Sequence, residues 1–478
     1  MFRNRYASLL LASVLLAAPV FAQSPNPSSA LNPFFGSVTT TAANGDILRL
    51  SLDSAIAQGL RNNLGLKQAE ADALSLHGQK NVALQYFLPN IAVSGGTGIY
   101  QHNLVSMGFG PGTIKQFASL LGMGSNLQGF SPITKDDLTQ GNISYSQILF
   151  SGPVIAAFKG ATAAEKAAHF QVTSARGEVV QQVATAYLHA IAAQSEVSNA
   201  RALIRQAELL ATNAHLKHLA GVAANVDDLR AQVELKSRQQ QLIAAENAYE
   251  KDLILLKREI GIAPAQKLEL TDPAPFSELA ARAPAEVLDE ALKNRQDYQK
   301  VQNQAVEMKA IHLAYRAQRL PSLSFNGYYG TATVNGAGTH GNFAAVGTVS
   351  MPLFREAGLR GDVDASRAQM NAVQAQLADL RTAIDLQVRS ALLDVSATHQ
   401  MVQVSRSTVE LAARAVSDET DRVNAGVDDN LPLVTAQASL ATAESNLVES
   451  LYQYNVAKLA LARSTGLLET TYRDYLGN

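Results

Sequence analysis

The chain has 478 residues, with 39 lysines and arginines against 41 acidic residues and a net charge of -2. That balance offers no electrostatic case for nucleic acid as a partner. Cysteine is absent, which excludes disulfides, thiol catalysis and cysteine-ligated zinc and fits an extracytoplasmic setting.

Residues 1–22 read as a secretory signal peptide, with Arg3 and Arg5 as its basic end and Leu9 to Leu16 as its apolar run. Val20-Phe21-Ala22 offers a small-residue cleavage site, so the mature start is expected at Gln23. No lipobox cysteine follows, and no N-terminal lipid anchor is expected. Residues 23–46, rich in Ser, Pro, Asn and Thr, read as an extended lead-in. Apolar spacing predicts a helix from Leu50 to Phe87, capped near Ser51 or Asp53 and stopped by Leu88-Pro89. Alternation then takes over. It predicts strands over about 90–102 and 140–151, joined by a Gly-rich irregular loop at 103–138. Gly152-Pro153 opens a stretch rich in Ala, Gln and Glu with no proline until Pro264. It predicts long helices over 153–220 and 227–261, broken at Gly221. The first would be on the order of 100 Å long, which an ordinary globular domain has no use for.

Residues 263–284 carry Pro264, Pro273, Pro275 and Pro284 and read as a linker. The second half repeats the plan. A helix from Ala285 ends at Leu320-Pro321, and strands over about 322–333 and 342–354 meet at Asn335-Gly336. Long helices over 357–425 and 430–465 follow, then a tail at 468–478. Leu433, Leu440, Leu447, Tyr454 and Leu461 recur every seven residues, a seam for packing on a partner helix. Leu235, Leu242, Tyr249 and Leu256 lie 205 positions before the last four of these, and Gly221 and Gly261 lie 205 before Gly426 and Gly466. A seam bracketed by glycines in one register reads as an internal duplication, residues 47–262 and 285–467. The offset is 232 between the Leu-Pro pairs but 204 between Leu149-Phe150 and Leu353-Phe354. The extra length of the first half therefore falls in its strand-loop-strand unit.

After the signal no apolar run is long enough for a membrane helix. Four strands do not close a barrel and open edges are not tolerated in lipid, so a membrane reading requires strands shared with other copies. Tyr86, Phe87, Tyr100, Phe150, Tyr315, Tyr328, Tyr329 and Phe354 border the strands as a headgroup girdle would; a soluble β-domain core would use them too. Asp227 and Asp228 follow Gly221, and Asp428, Asp429 and Asn430 follow Gly426. Two roles are open for these acids: capping of the returning helices, or a pore-lining ring of carboxylates. His215 and His218 share a helix face without a third ligand, so no metal is expected. No catalytic constellation appears, and neither an enzyme nor a cofactor is expected.

The order Gly221–Asp227-Asp228-Leu229–Ala231-Gln232, then the Leu/Tyr seam and Glu259-Ile260-Gly261, has a twin in Gly426–Leu433–Ala436-Gln437 through Thr465-Gly466. Together they resemble the TolC-like outer membrane efflux protein family over residues 47–467. The resemblance implies a mainly α fold with a membrane β-barrel part. Each protomer of a homotrimer would give four strands to a shared twelve-stranded barrel among outer membrane lipids. Long antiparallel coiled-coil helices would form a tunnel through the periplasm. It further implies a passive exit duct of a tripartite efflux or type I secretion system, gated at the Gly221 and Gly426 tips. A periplasmic adaptor and an inner-membrane transporter of RND or ABC type would be its partners. In the family, aspartates on the inner helices just after the second glycine line the closed aperture. Here those positions fall near Pro432 and Thr435, the acids sit earlier, and Asp428 replaces the basic partner two residues after Gly426. Asp227 matches the first-repeat aspartate. The residues alone also admit a soluble periplasmic coiled-coil scaffold or adaptor.

Overall fold

A computed structural model describes residues 32–477 apart from 40–42, 107, 109, 121–132, 223, 274 and 426–429. The signal peptide and the first part of the lead-in lie outside the described residues. The first half contains β1 (Leu48–Leu50), α1 (Leu52–Asn62), α2 (Leu64–Gln85), β2 (Asn90–Asn103), α3 (Pro111–Leu120), β3 (Ile133–Phe150), α4 (Gly152–Leu219), α5 (Asn225–Ile260) and β4 (Leu268–Leu270). The second contains α6 (Pro284–Asn294), α7 (Gln296–Ala317), β5 (Ser322–Val334), β6 (Thr339–Ser350), α8 (Glu356–Asn424), α9 (Asn430–Ser464) and α10 (Leu468–Leu476). The chain divides into two compact units, residues 1–65 with 182–273 and residues 66–181 with 274–478.

In the first unit β1 pairs in parallel with β4. The linker reading of 263–284 missed this strand because three residues are too few to show alternation. The helix expected from Leu50 to Phe87 is divided at Asn63, which is extended at φ -60°, ψ 132°. Asn63 Nδ2 donates to the Phe34 carbonyl at 2.7 Å, and the Leu64 N–H to the Gly36 carbonyl at 2.9 Å. A tertiary contact thus takes over a bond the helix would have made, and neither proline nor glycine announces the break. The lead-in is likewise not wholly extended: Pro33–Phe35 form one 3-10 turn, capped by Asn32.

The second unit holds an antiparallel sheet in the order β2-β3-β5-β6, with β2 and β6 as its edges. Asn335 (φ 47°) and Gly336 (φ 68°) make the tight turn between β5 and β6, the left-handed pair that a two-residue hairpin uses. β3 begins at Ile133, within the loop expected to be irregular, because it pairs along the full length of β2. That loop also carries α3. β6 stops at Ser350, before the expected 354, since Pro352 has no N–H for the ladder. Register places Val93, Ile143, Tyr329 and Phe343 in one row across all four strands, and Ser94, Asn142, Gly330 and Asn342 in the next row on the other face.

The helical core of this unit lies between α8, α9 and α6. Ile384, Val388 and Val402 pack with Tyr454, Ala457 and Leu461 and with Val287 and Ala291. The seam residues Leu433, Leu440, Tyr454 and Leu461 are buried, and Leu447 is half-buried. In the first unit Leu256 is buried, while Leu235, Leu242 and Tyr249 are half-buried. Tyr454 does more than fill the seam. Its hydroxyl donates to the Ser277 carbonyl at 3.2 Å and accepts from the Leu279 N–H at 3.1 Å, pinning the linker. Buried Lys458 adds bonds from Nζ to the Ser277 carbonyl and Oγ at 3.1 and 3.2 Å. The residues read as a tail form α10, which buries Leu468, Tyr472 and Leu476 at every fourth position.

Candidate functional site

α4 ends in a glycine turn. Gly221 sits at φ +75°, its N–H donating to the His218 carbonyl at 2.9 Å and the Val222 N–H to the Lys217 carbonyl at 3.0 Å. This left-handed closure of a helix end disfavours any residue with a Cβ. The returning helix α5 is capped by Ala224 with no side-chain bond. Asp227 is therefore not the cap; it lies in the first turn, 3.5 Å from Arg230 Nη1. Acids there are still favourable beside the N-terminal end of the helix dipole.

Asp228 has the more specific environment. It is buried, and its Oδ2 accepts from His215 Nδ1 at 3.0 Å across the hairpin. Its Oδ1 accepts from Gln232 Nε2 at 2.9 Å. The His215 imidazole first, and the Gln232 amide second, hold the Asp228 carboxyl below its ordinary value. Asp228 lies 205 positions before Leu433, so a satisfied polar pair stands in this hairpin where an apolar seam residue stands in the other. His215 is thus a partner of Asp228, and among the described residues no three His, Asp or Glu side chains gather into a metal site. Around the same turn Leu216, Leu219, Val222, Val226 and Leu229 are all exposed. In the second hairpin Gly426, Asp428 and Asp429 lie outside the described residues, and Asn430 opens α9.

At the far end of α5, Glu259 is 5% exposed and its Oε2 has no hydrogen-bond partner among the described residues. Burial pushes this carboxyl up to about 8. The position 205 further on is Ser464, which is also buried but donates from Oγ to the Leu461 carbonyl at 2.7 Å. Setting the two halves against each other is the one signal that could have singled out Glu259.

The sheet has a bare apolar face. Val93, Ile143, Tyr329 and Phe343 are 80%, 54%, 68% and 76% exposed, with Ile91, Ile99 and Val349 exposed beside them. A water-facing sheet carries polar residues on its outer side; here the polar row lies on the opposite face. Among the described residues no helix is long and apolar enough to cross a membrane.

Comparison with known proteins gives a concordant result. A model of the family described as "Outer membrane efflux protein" matches residues 55–261 and 287–467. The chain is similar to the pyoverdine export outer membrane protein OpmQ of Pseudomonas aeruginosa, 24% identical over 335 residues, covering 69% of this chain and 70% of that protein. It is also similar to nodulation protein T of Rhizobium leguminosarum bv. trifolii, 21% identical over 324 residues, covering 66% of this chain and 68% of that one. Its fold matches the CmeC outer membrane channel of Campylobacter jejuni with a TM-score of 0.72 at 15% identity, over 91% of this chain and 92% of that one.

Proposed function

The chain belongs to the outer membrane efflux protein family, and from that premise we propose that it is the passive exit duct of a tripartite efflux or type I secretion system, assembled as a homotrimer. It is an outer membrane channel with a long periplasmic portion; its relatives are channel proteins, not enzymes. The observation that carries the trimeric reading is the four-stranded sheet, which combines two edge strands with an exposed apolar face. An open edge in lipid leaves backbone groups without partners, so β2 of one copy joins β6 of another until a barrel closes. Three copies give twelve strands, with the apolar row outward and the row of Ser94, Asn142 and Asn342 lining the lumen.

The tandem repeat is part of this proposal. α1 and α6 both have 11 residues and α2 and α7 both have 22, and α4 and α8 have 68 and 69. α8 alone is on the order of 100 Å long. The Gly221 and Gly426 turns are then the periplasmic tips. The exposed apolar residues about Gly221 suit a periplasmic adaptor, which would connect the duct to an inner-membrane transporter of RND or ABC type. Gating belongs at these tips, with Asp227, Asp228, Asp428, Asp429 and Asn430 as its candidates.

Fractionation of cells expressing the protein tests the reading. The expected result is a heat-modifiable trimer in the outer membrane. A soluble periplasmic monomer would refute it and favour a coiled-coil scaffold.

A further inference from the structure

The junction between β6 and α8 carries charge that its counterpart between β3 and α4 lacks. Val349, Met351 and Leu353 continue the alternate positions of Phe343, at 71%, 52% and 89% exposed, and Phe354 is fully exposed. Leu149 and Phe150 are exposed at the matching place in the first half, so the apolar margin is common to both. Arg319 donates from Nε and Nη2 to Glu356 Oε2 and Oε1 at 3.2 and 3.0 Å, and Arg360 Nε donates to the same Oε1 at 2.9 Å. Arg319 first, and Arg360 second, bring the Glu356 carboxyl down to about 2, so it stays ionised. Arg355 is exposed and has no ion pair among the described residues. A Cβ on Gly358 would lie 3.9 Å from Arg355 Cγ, so the Arg355 stem runs along the first turn of α8, beside Glu356. Three guanidiniums against one carboxylate leave the patch positive, and the next acids along α8, Asp362 and Asp364, lie about 9 and 12 Å further on by helix rise. The offsets of 232 and 204 turn Arg319, Arg355, Glu356 and Arg360 into Phe87, Ser151, Gly152 and Ala156, none of them charged. Phe87 packs edge-on against Phe158 instead, with ring centroids 5.6 Å apart.

We propose that this patch seats the headgroup of an anionic phospholipid, with Arg355 and Arg360 on its phosphate and Leu353 and Phe354 among its acyl chains. The inference rests on the duct reading, through the sheet face which that reading turns toward lipid. Two observations choose the occupant. The apolar margin is continuous with the row of Phe343, so what covers that row also covers Leu353. A water-soluble anion would leave Leu353 and Phe354 bare. The charge, in turn, stands where the strand gives way to the helix, the level at which headgroups border a barrel. A guanidinium meets phosphate oxygens with paired N–H donors, and Arg360 keeps its Nη donors after Nε is taken by Glu356. The Glu356 bridge thus fixes two arginines without neutralising the patch. Phosphatidylethanolamine brings its own ammonium group and leaves the excess charge unmatched, whereas the net negative charge of phosphatidylglycerol matches it. With the long helices in the periplasm, the seat belongs to the periplasmic leaflet, one per protomer.

Native mass spectrometry of the detergent-purified protein, mixed with equal amounts of phosphatidylglycerol and phosphatidylethanolamine, tests the seat. The expected result is a several-fold excess of bound phosphatidylglycerol on the wild type and on Arg355→Lys, which keeps the charge. Arg355→Ala with Arg360→Ala should bring the two lipids to parity, while Arg319 still holds Glu356 and the junction stays folded. Parity on the wild type, or an excess that survives the double variant, overturns the proposal. So does displacement of phosphatidylglycerol by inorganic phosphate at the same concentration, which would make the patch a site for a free anion. The same spectra report the assembly. An intact trimer without the excess overturns the seat alone, whereas a protein that is monomeric throughout counts against the duct reading on which the seat rests.

Discussion

Replacement of Glu259 by Gln tests whether the buried carboxyl acts as its surroundings require. Burial without a partner for Oε2 raises its value from 4.5 to about 8. Below pH 4.5 the folded and unfolded chains both hold the proton, and the group costs nothing. Between there and about 8 only the folded chain holds it, so stability falls as pH rises through this window. Each unit is worth about 1.4 kcal/mol, giving a cost of about 3 kcal/mol at pH 7 and about 5 kcal/mol above the folded value. Gln fills similar space and does not titrate. Thermal unfolding of the detergent-solubilised protein, followed from pH 5 to 9, should show the wild type losing stability relative to Glu259→Gln across that range. Parallel curves for the two proteins would refute the reasoning, because the difference between them isolates this one group.

Other outcomes follow from the same structure. Gly261→Ala forces a Cβ against the Val38 carbonyl at a φ of +79° and should cost about 1–3 kcal/mol, read as a lowered melting temperature. Tyr454→Phe removes the bonds to Ser277 and Leu279 and should cost about 1–3 kcal/mol, seen as faster proteolysis of the linker. Asp228→Asn breaks the pair with His215, and the first tip should loosen, raising the leak of large antibiotics into cells; unchanged permeability would remove Asp228 from the gate. The contribution of the Asp228 carboxylate is present above the unfolded value of 3.8 and is lost as pH falls through the lowered folded value. Asp428→Asn with Asp429→Asn should reduce single-channel cation selectivity, and unchanged selectivity and conductance would exclude a carboxylate ring at the second tip.

Long elements were legible because their signals are long. A long run without internal proline, rich in Ala, Gln and Glu and closed by Gly221, announces α4, and alternation with an Asn-Gly turn announces β5 and β6. The breaks at Asn63 and Arg295 were not legible, since each depends on what packs against it and neither residue is a strong helix breaker. β4 and α10 were missed for the same reason: short elements gain their stability from tertiary contacts, not from periodicity. At the tip, charge and turn were readable, but the spacing between His215 and Asp228 shows a pair only once the hairpin has been folded at Gly221. Asp227 shows the converse. Its residue type suits a cap, yet the helix begins earlier, at Asn225, and leaves Asp227 inside the first turn.

The most direct test of the shared barrel joins the two sheet edges. One cysteine is placed along β2, at Ser94, Gly96 or Gly98, and one along β6, at Asn342, Ala344 or Val346, and outer membranes are oxidised and run without reductant. The expected result is a ladder of covalent dimers and trimers that stops at the trimer. A chain that stays monomeric for every pair, or a ladder that continues past three copies, would contradict a trimeric barrel closed by β2 and β6.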